Sequence, residues 1–129
     1  MNFASKAGSN KMKANKPKYV DKRWGSETWF ANNEEHNYCG KILHIHKEKN
    51  TSMHFHIDKH EVFQILEGTL QVDYIDTKSG DVNTSFVHAG ECMEMPQAVP
   101  HKLIANKEDV KLIEASTFHK DSDSYRVYL

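Results

Sequence analysis

Long apolar runs are missing from this chain. No stretch approaches the ~18 residues of a membrane-spanning helix, and the first residues lack the apolar segment of a secretory leader. Cysteine is almost absent. Cys39 and Cys92 stand far apart, a spacing that fits neither a disulfide scaffold nor a zinc knuckle. We read both as free, buried thiols in a reducing compartment, with the cytoplasm as the expected location. A strong charge of one sign is missing too. The formal net charge is −1, so the whole molecule is not built to grip nucleic acid, and neither nucleic acid nor membrane is an expected partner. Helical period is also lacking, because no segment of ten or more residues shows it with caps.

What is present fits one small globular domain. The length of 129 residues is enough for a single modest core, and 38% hydrophobic with 27% charged residues is ordinary for a soluble protein. The charge is unevenly placed. Met1 to Lys18 carries five lysines and no acid, and the remainder holds 12 basic and 18 acidic residues, a balance of −6. We read residues 1–18 as a disordered basic tail and 19–129 as the folded domain. Histidine is abundant, with nine in the chain, and histidine is the commonest protein ligand for transition metals.

Short apolar segments alternate with turn residues after Pro17. Strands are expected at 41–46, 61–66, 70–75, 85–87, 92–95, 101–105 and 110–115. Glu67-Gly68-Thr69 has the form of a hairpin turn between the second and third of these. Pro96 and Pro100 cannot donate to a sheet ladder, so the stretch between them is an edge or a bend. Many short strands spaced near ten residues predict an all-β sandwich or barrel.

Met53-His54-Phe55-His56 places two imidazoles on one face of a strand. Glu61 follows from the start of the next strand, and a neighbouring strand would have to bring His101 alongside. A second pair, His44 and His46, shows that a bare His-x-His is weak evidence. The setting of the first pair is more specific. His54-x-His56-x4-Glu61-x6-Gly68 resembles the first motif of the cupin superfamily, Gly-x5-His-x-His-x(3,4)-Glu-x6-Gly. Gly90-x5-Pro96-x-Ala98-x2-His101 resembles the second, Gly-x5-Pro-x-Gly-x2-His-x3-Asn, with Asn106 one residue late. Glu48 stands where the first motif opens on glycine, and Ala98 replaces the second-motif glycine, so that bend lacks the residue that most freely takes φ > 0.

The resemblance implies a single jelly-roll β-barrel with one divalent transition metal ion (Zn, Mn, Fe, Ni or Co) held by His54, His56, Glu61 and His101. It disfavours His44 and His46 as ligands, although one of them could form a cavity wall. Three neutral imidazoles and one carboxylate suit such ions and disfavour Ca. The loaded site would carry a charge of about +1 and attract a small sugar or acid ligand. The reference histidine value places the loss of metal affinity near pH ~6.5.

Lys22-Arg23-Trp24-Gly25 is similar to the Lys-Pro-Trp-Gly start of phosphomannose isomerases and related sugar-phosphate cupins. The segments 113–117 and 123–127 are similar to the close of those proteins. The resemblance implies a metal-dependent isomerase or related enzyme on a sugar or sugar phosphate. Glu94 and His44 are candidate bases only if they face the cavity. Lys102 follows His101 where the family has arginine, and an ammonium grips phosphate less specifically than a guanidinium fork. The alternatives are a non-catalytic binding module for metal and sugar, and an iron-dependent dioxygenase or lyase of the cupin type. Trp24, Trp29 and Phe30 read equally as a plug for one barrel end. Open sheet edges predict a homodimer in which residues 19–30 cross over.

Overall fold

The computed structural model describes residues 11–129. Most of the expected basic tail, residues 1–10, lies outside the described residues. Residues 11–17 are exposed and without strand pairing, and Lys18 already belongs to the first strand.

The expected all-β double sheet is present. One sheet runs in the order β1 (Lys18–Lys22), β2 (Gly25–Asn33), β3 (Tyr38–Ile45), β11 (Val110–Ser116), β6 (Glu61–Glu67) and β9 (Cys92–Met95). The other runs β12 (Tyr125–Tyr128), β5 (Met53–Phe55), β10 (His101–Ala105), β7 (Thr69–Ile75) and β8 (Val82–His88), with β4 (Lys49–Asn50) pairing onto β10. Every pairing is antiparallel, as a jelly roll requires. One 3-10 turn, Asp121–Asp123, precedes the last strand.

The inward faces follow a common pattern. Alternate residues of a strand share a face, and in four strands the buried row passes from apolar to polar along its length. β3 reads Ile45, Leu43, Lys41, and β11 reads Val110, Leu112, Glu114. β6 reads Ile65, Phe63, Glu61, and β10 reads Ala105, Leu103, His101. Register aligns the first two rows, pairing Val110 with Ile45, Leu112 with Leu43 and Glu114 with Lys41. The barrel therefore has one apolar end and one polar end. Trp24 joins the apolar cluster, Trp29 packs beside the polar end, and Phe30 is exposed on the outer face, where it covers Gly40.

Two sequence expectations are corrected. Glu67-Gly68-Thr69 does not close a hairpin, because β6 and β7 lie in different sheets. Gly68 takes φ +82° at the corner where the chain changes sheet, and a Cβ there would stand 2.5 Å from the Asp109 carbonyl oxygen. Cys39 is buried and free as expected, but Cys92 is free and exposed. It opens β9, which ends its sheet and has an uncovered outer face.

Both motif positions that lack glycine still adopt the glycine backbone. Glu48 has φ +67° and Ala98 has φ +62°. Their amides are held by carbonyls at 2.7 Å, Glu48 to Ala105 and Ala98 to His56. A residue with a Cβ is disfavoured there by ~1–2 kcal/mol. Glu48→Gly and Ala98→Gly are each expected to raise the free energy of unfolding by about 1 kcal/mol, once glycine's extra unfolded-state entropy is subtracted. Urea denaturation checks this, and a lower midpoint in both variants would contradict it.

Candidate metal centre

The polar end of the barrel brings together all four residues singled out in the sequence. His54 lies in β5 directly across from His101 in β10, and facing residues of an antiparallel pair share a side of the sheet. His56 follows two residues after His54. One ring nitrogen from each of the three lies within 4.8 Å of the others. Glu61 opens β6 in the opposite sheet and points at the same spot.

Each ring is fixed in tautomer by a backbone carbonyl. Nδ1 of His54 donates to Ser52 at 2.8 Å, Nδ1 of His56 to Asp123 at 2.9 Å, and Nδ1 of His101 to Val99 at 3.0 Å. A proton held on Nδ1 leaves Nε2 with its lone pair free, the state a metal ligand needs. Burial makes that state secure at neutral pH. It pushes His56 down to about 4 and His101 down to about 3, and it also lowers His54.

Glu61 is 4% exposed, and its Oε2 is buried without a hydrogen-bond partner. Oε2 stands 3.4 Å from Nε2 of His101, and Oε1 stands 3.7 Å from Nε2 of His56. These gaps exceed ordinary hydrogen bonds. They are close to the ~3.0–3.4 Å expected between adjacent donors that share one ion at ~2.1 Å. An unsatisfied buried carboxylate oxygen facing three unprotonated ring nitrogens is a set of electron donors with no acceptor among them. A divalent transition ion fits it.

The layer around these donors escapes the sequence reading. Lys59, 2% exposed, lies in the connection between β5 and β6. Its ammonium has three donors and three acceptors: Glu114 at 2.6 Å, Glu61 at 3.2 Å and Nδ1 of His119 at 3.0 Å. Lys41 reaches Glu27 at 3.4 Å and lies 4.0 Å from the centroid of the Trp29 ring. Burial pulls the Lys59 ammonium down, but Glu114 and Glu61 outweigh it and hold the proton firmly. Burial and the Glu114 charge raise the Glu61 carboxyl to about 7 despite Lys59. Burial also acts to raise Glu114, but Lys59 and Lys41 outweigh it and hold that carboxyl low. The inward apolar-to-polar rows are a usable signal for Lys41 and Glu114. Nothing local marks Lys59, Glu27 or His119.

Asp123 ties the last segment to the site. Its carbonyl accepts from His56, and its carboxylate accepts the amides of Ile57, Asp58 and Lys59 at 2.9–3.1 Å. Burial acts to raise its pKa, but these amides outweigh it and keep the carboxyl ionised. His44 and Glu94 do not reach the cavity. His44 lies on the outer face of β3 with Nε2 bound to Asp109 at 2.9 Å, and Glu94 lies on the outer face of β9 bound to His60 at 2.7 Å. Lys102 also points away, donating to the Leu129 carbonyl at 3.3 Å.

The donors line a cavity of about 310 Å³, whose wall includes Leu43, Phe63 and Leu103. That volume suits a small molecule. A second cavity of about 530 Å³, bordered by Tyr74, Met93 and Val99, has no imidazole in its wall.

A two-sheet antiparallel sandwich with a histidine cluster at one end defines the class. The cupin domain family matches residues 41–116, more than half of the chain, and the chain belongs to that family. Solved structures agree on the fold. Over 90% of this chain, the capsular polysaccharide assembling protein CapF from Staphylococcus aureus superposes with a TM-score of 0.78 at 16% identity. Over 86%, the oxalate decarboxylase OxdC from Bacillus subtilis superposes with a TM-score of 0.76 at 14% identity. This chain spans 35% of the first and 30% of the second. No curated protein matches the chain in sequence. Among the described residues, no helix is long and apolar enough to cross a membrane.

The ring values move the expected pH dependence away from histidine. A proton competes with a metal only below the pKa of the ligand that carries it. If these groups hold an ion, His56 and His101 would compete only in acid, and Glu61 would compete from about pH 7 downward. Zinc affinity is expected to fall ~50-fold between pH 7 and pH 5 in the wild type, one proton per ion. In Glu61→Gln affinity is weaker but nearly flat across that window. Calorimetric titration at three pH values checks this, and an equal slope in both proteins would contradict it.

Proposed function

We propose that this chain is a metal-dependent enzyme of the isomerase kind that acts on a sugar or sugar phosphate, with His54, His56, Glu61 and His101 as the ligands of a single divalent ion. One observation carries the reading: three anchored imidazoles and an unpartnered buried carboxylate oxygen converge in a small-molecule cavity. The Lys22 to Gly25 similarity to phosphomannose isomerases supports the sugar class. A bound divalent ion would supply Lewis acidity toward a substrate carbonyl.

The remaining work falls to side chains of the chain itself. Proton transfer between neighbouring carbons needs a carrier, and the outward-facing Glu94 and His44 are excluded. His119 lines the cavity outside the ligand set. The Lys59 ammonium donates to its Nδ1, so the ring proton is on Nε2 and points to Asp121 at 2.8 Å. Both ring nitrogens of His119 are thereby engaged, so His119 positions the Lys59 ammonium beside Glu61 and does not itself take a proton from the substrate. Leu43, Phe63 and Leu103 form an apolar wall that limits water near the reacting carbons.

A second reading, a binding module without turnover, draws on a different observation. Lys41 and Lys59 are already paired with Glu27 and Glu114, which leaves few free groups for chemistry. Elemental analysis and turnover on a panel of sugars and sugar phosphates separate the readings. The His54→Ala/His56→Ala double variant is expected to lose bound metal. Equal metal content in the wild type and the double variant removes the site. Sugar binding without turnover selects the module, and bound iron with oxygen consumption selects an oxygenase.

The proposal includes a homodimer. β1 and β9 end one sheet and β12 and β8 end the other, and open edges invite pairing. Sedimentation showing only ~15 kDa particles at micromolar concentration would refute this part.

A further inference from the structure

The mouth of the cavity carries a second feature that the ion site does not explain. Lys22 ends β1, Arg23 lies in the turn between β1 and β2, and Arg126 lies in β12, and all three line the cavity of His54, His56 and His101. The two arginines come from opposite sheets. Register places Arg126 directly across from His54, so both side chains stand on the same side of the sheet. Among the described residues neither arginine has an ion pair or a side-chain hydrogen bond.

Charge at the mouth is unbalanced. Inside the cavity, Glu27, Glu61 and Glu114 face Lys41 and Lys59, which leaves −1, or +1 with a divalent ion. At the rim, Lys22, Arg23 and Arg126 face Asp121, which adds +2. Asp121 is 91% exposed and already accepts from His119. The interior carboxylates are held by their lysines and do not reach the guanidiniums. Guanidiniums match carboxylate and phosphate oxygens with paired N–H donors. Lys102, which stands where the family has arginine, lies outside the cavity.

We propose that the ligand of this cavity carries an acid group, a phosphate or a carboxylate, that docks between Arg23 and Arg126 at the mouth while its other end lies at the histidine cluster. This rests on the reading of the cavity as a small-molecule site and narrows the ligand to an anion. Arg23 and Arg126 act as binding residues and touch no metal ligand's donor atom, so they can be changed without removing the ion site.

The test titrates chelator-treated and manganese-loaded protein with mannose, mannose 6-phosphate and glucuronate. At least one acid is expected to bind about 10-fold tighter than mannose in both preparations, and the one favoured identifies the group. Arg23→Ala/Arg126→Ala is expected to lose that preference while keeping wild-type metal content, and Arg126→Lys to retain part of it. Equal affinity for all three sugars, a preference that survives the double alanine variant, or no acid binding at millimolar concentration overturns the proposal. A wild type that binds no metal removes the ion-site reading, and the metal-free titration still decides the role of the arginines.

Discussion

The polar end of this barrel is governed by one electrostatic constraint. Among the described residues, Glu27, Glu61 and Glu114 share a largely buried layer with Lys41 and Lys59 alone, so one negative charge is left over among side chains removed from water. An uncompensated buried charge costs several kcal/mol, about as much as breaking a buried ion pair. The imidazoles cannot supply the missing charge, because burial keeps them neutral. Without an ion, protonation of Glu61 relieves this charge, consistent with burial and Glu114 pushing its carboxyl up to about 7. A divalent ion bound there would remove the need for the proton and satisfy the orphaned oxygen. Lys59 is the pivot of the layer, because its three N–H groups link Glu61, Glu114 and His119 into one network. Such networks resist partial disruption, since each member left unpaired carries its full desolvation cost.

Period-two apolar patterning makes the strands legible in the amino-acid sequence. Seven expected strands appear, and 92–95 and 101–105 have the expected bounds. The convergence of His54, His56, Glu61 and His101 is legible because motif spacing encodes which strands must meet. Facing is harder. Lys41 begins an apolar run and looks like a solvated strand end until its partners place it inward. Glu94 and His44 look usable because sequence does not say which face of a strand turns toward the cavity. Gly68 misleads for a related reason: a glycine turn between two apolar runs looks the same whether the strands pair or part into separate sheets. Glu48 and Ala98 show the reverse. The residue type departs from the motif, yet the backbone keeps the required left-handed conformation, because neighbouring hydrogen bonds over-determine it.

The C-terminal segment supplies more of the site than its weak patterning suggests. His119, Asp121, Asp123 and Arg126 all lie beyond β11. They contribute the cavity imidazole, its partner, the tether of His56 and one mouth cation. None of them sits in a strongly periodic segment, so only three-dimensional packing reveals that they converge.

The Asp123 tether separates the boundary of the family from the boundary of the working unit. The family match ends at residue 116, and His54, His56, Glu61 and His101 all fall within it. The carbonyl that sets the tautomer of His56 and the carboxylate that folds the loop after it both belong to a residue beyond that limit. A fragment trimmed to the recognised family limits would keep every donor and lose the part that aims one of them. For this barrel, coordination chemistry and evolutionary homology mark out different lengths of chain.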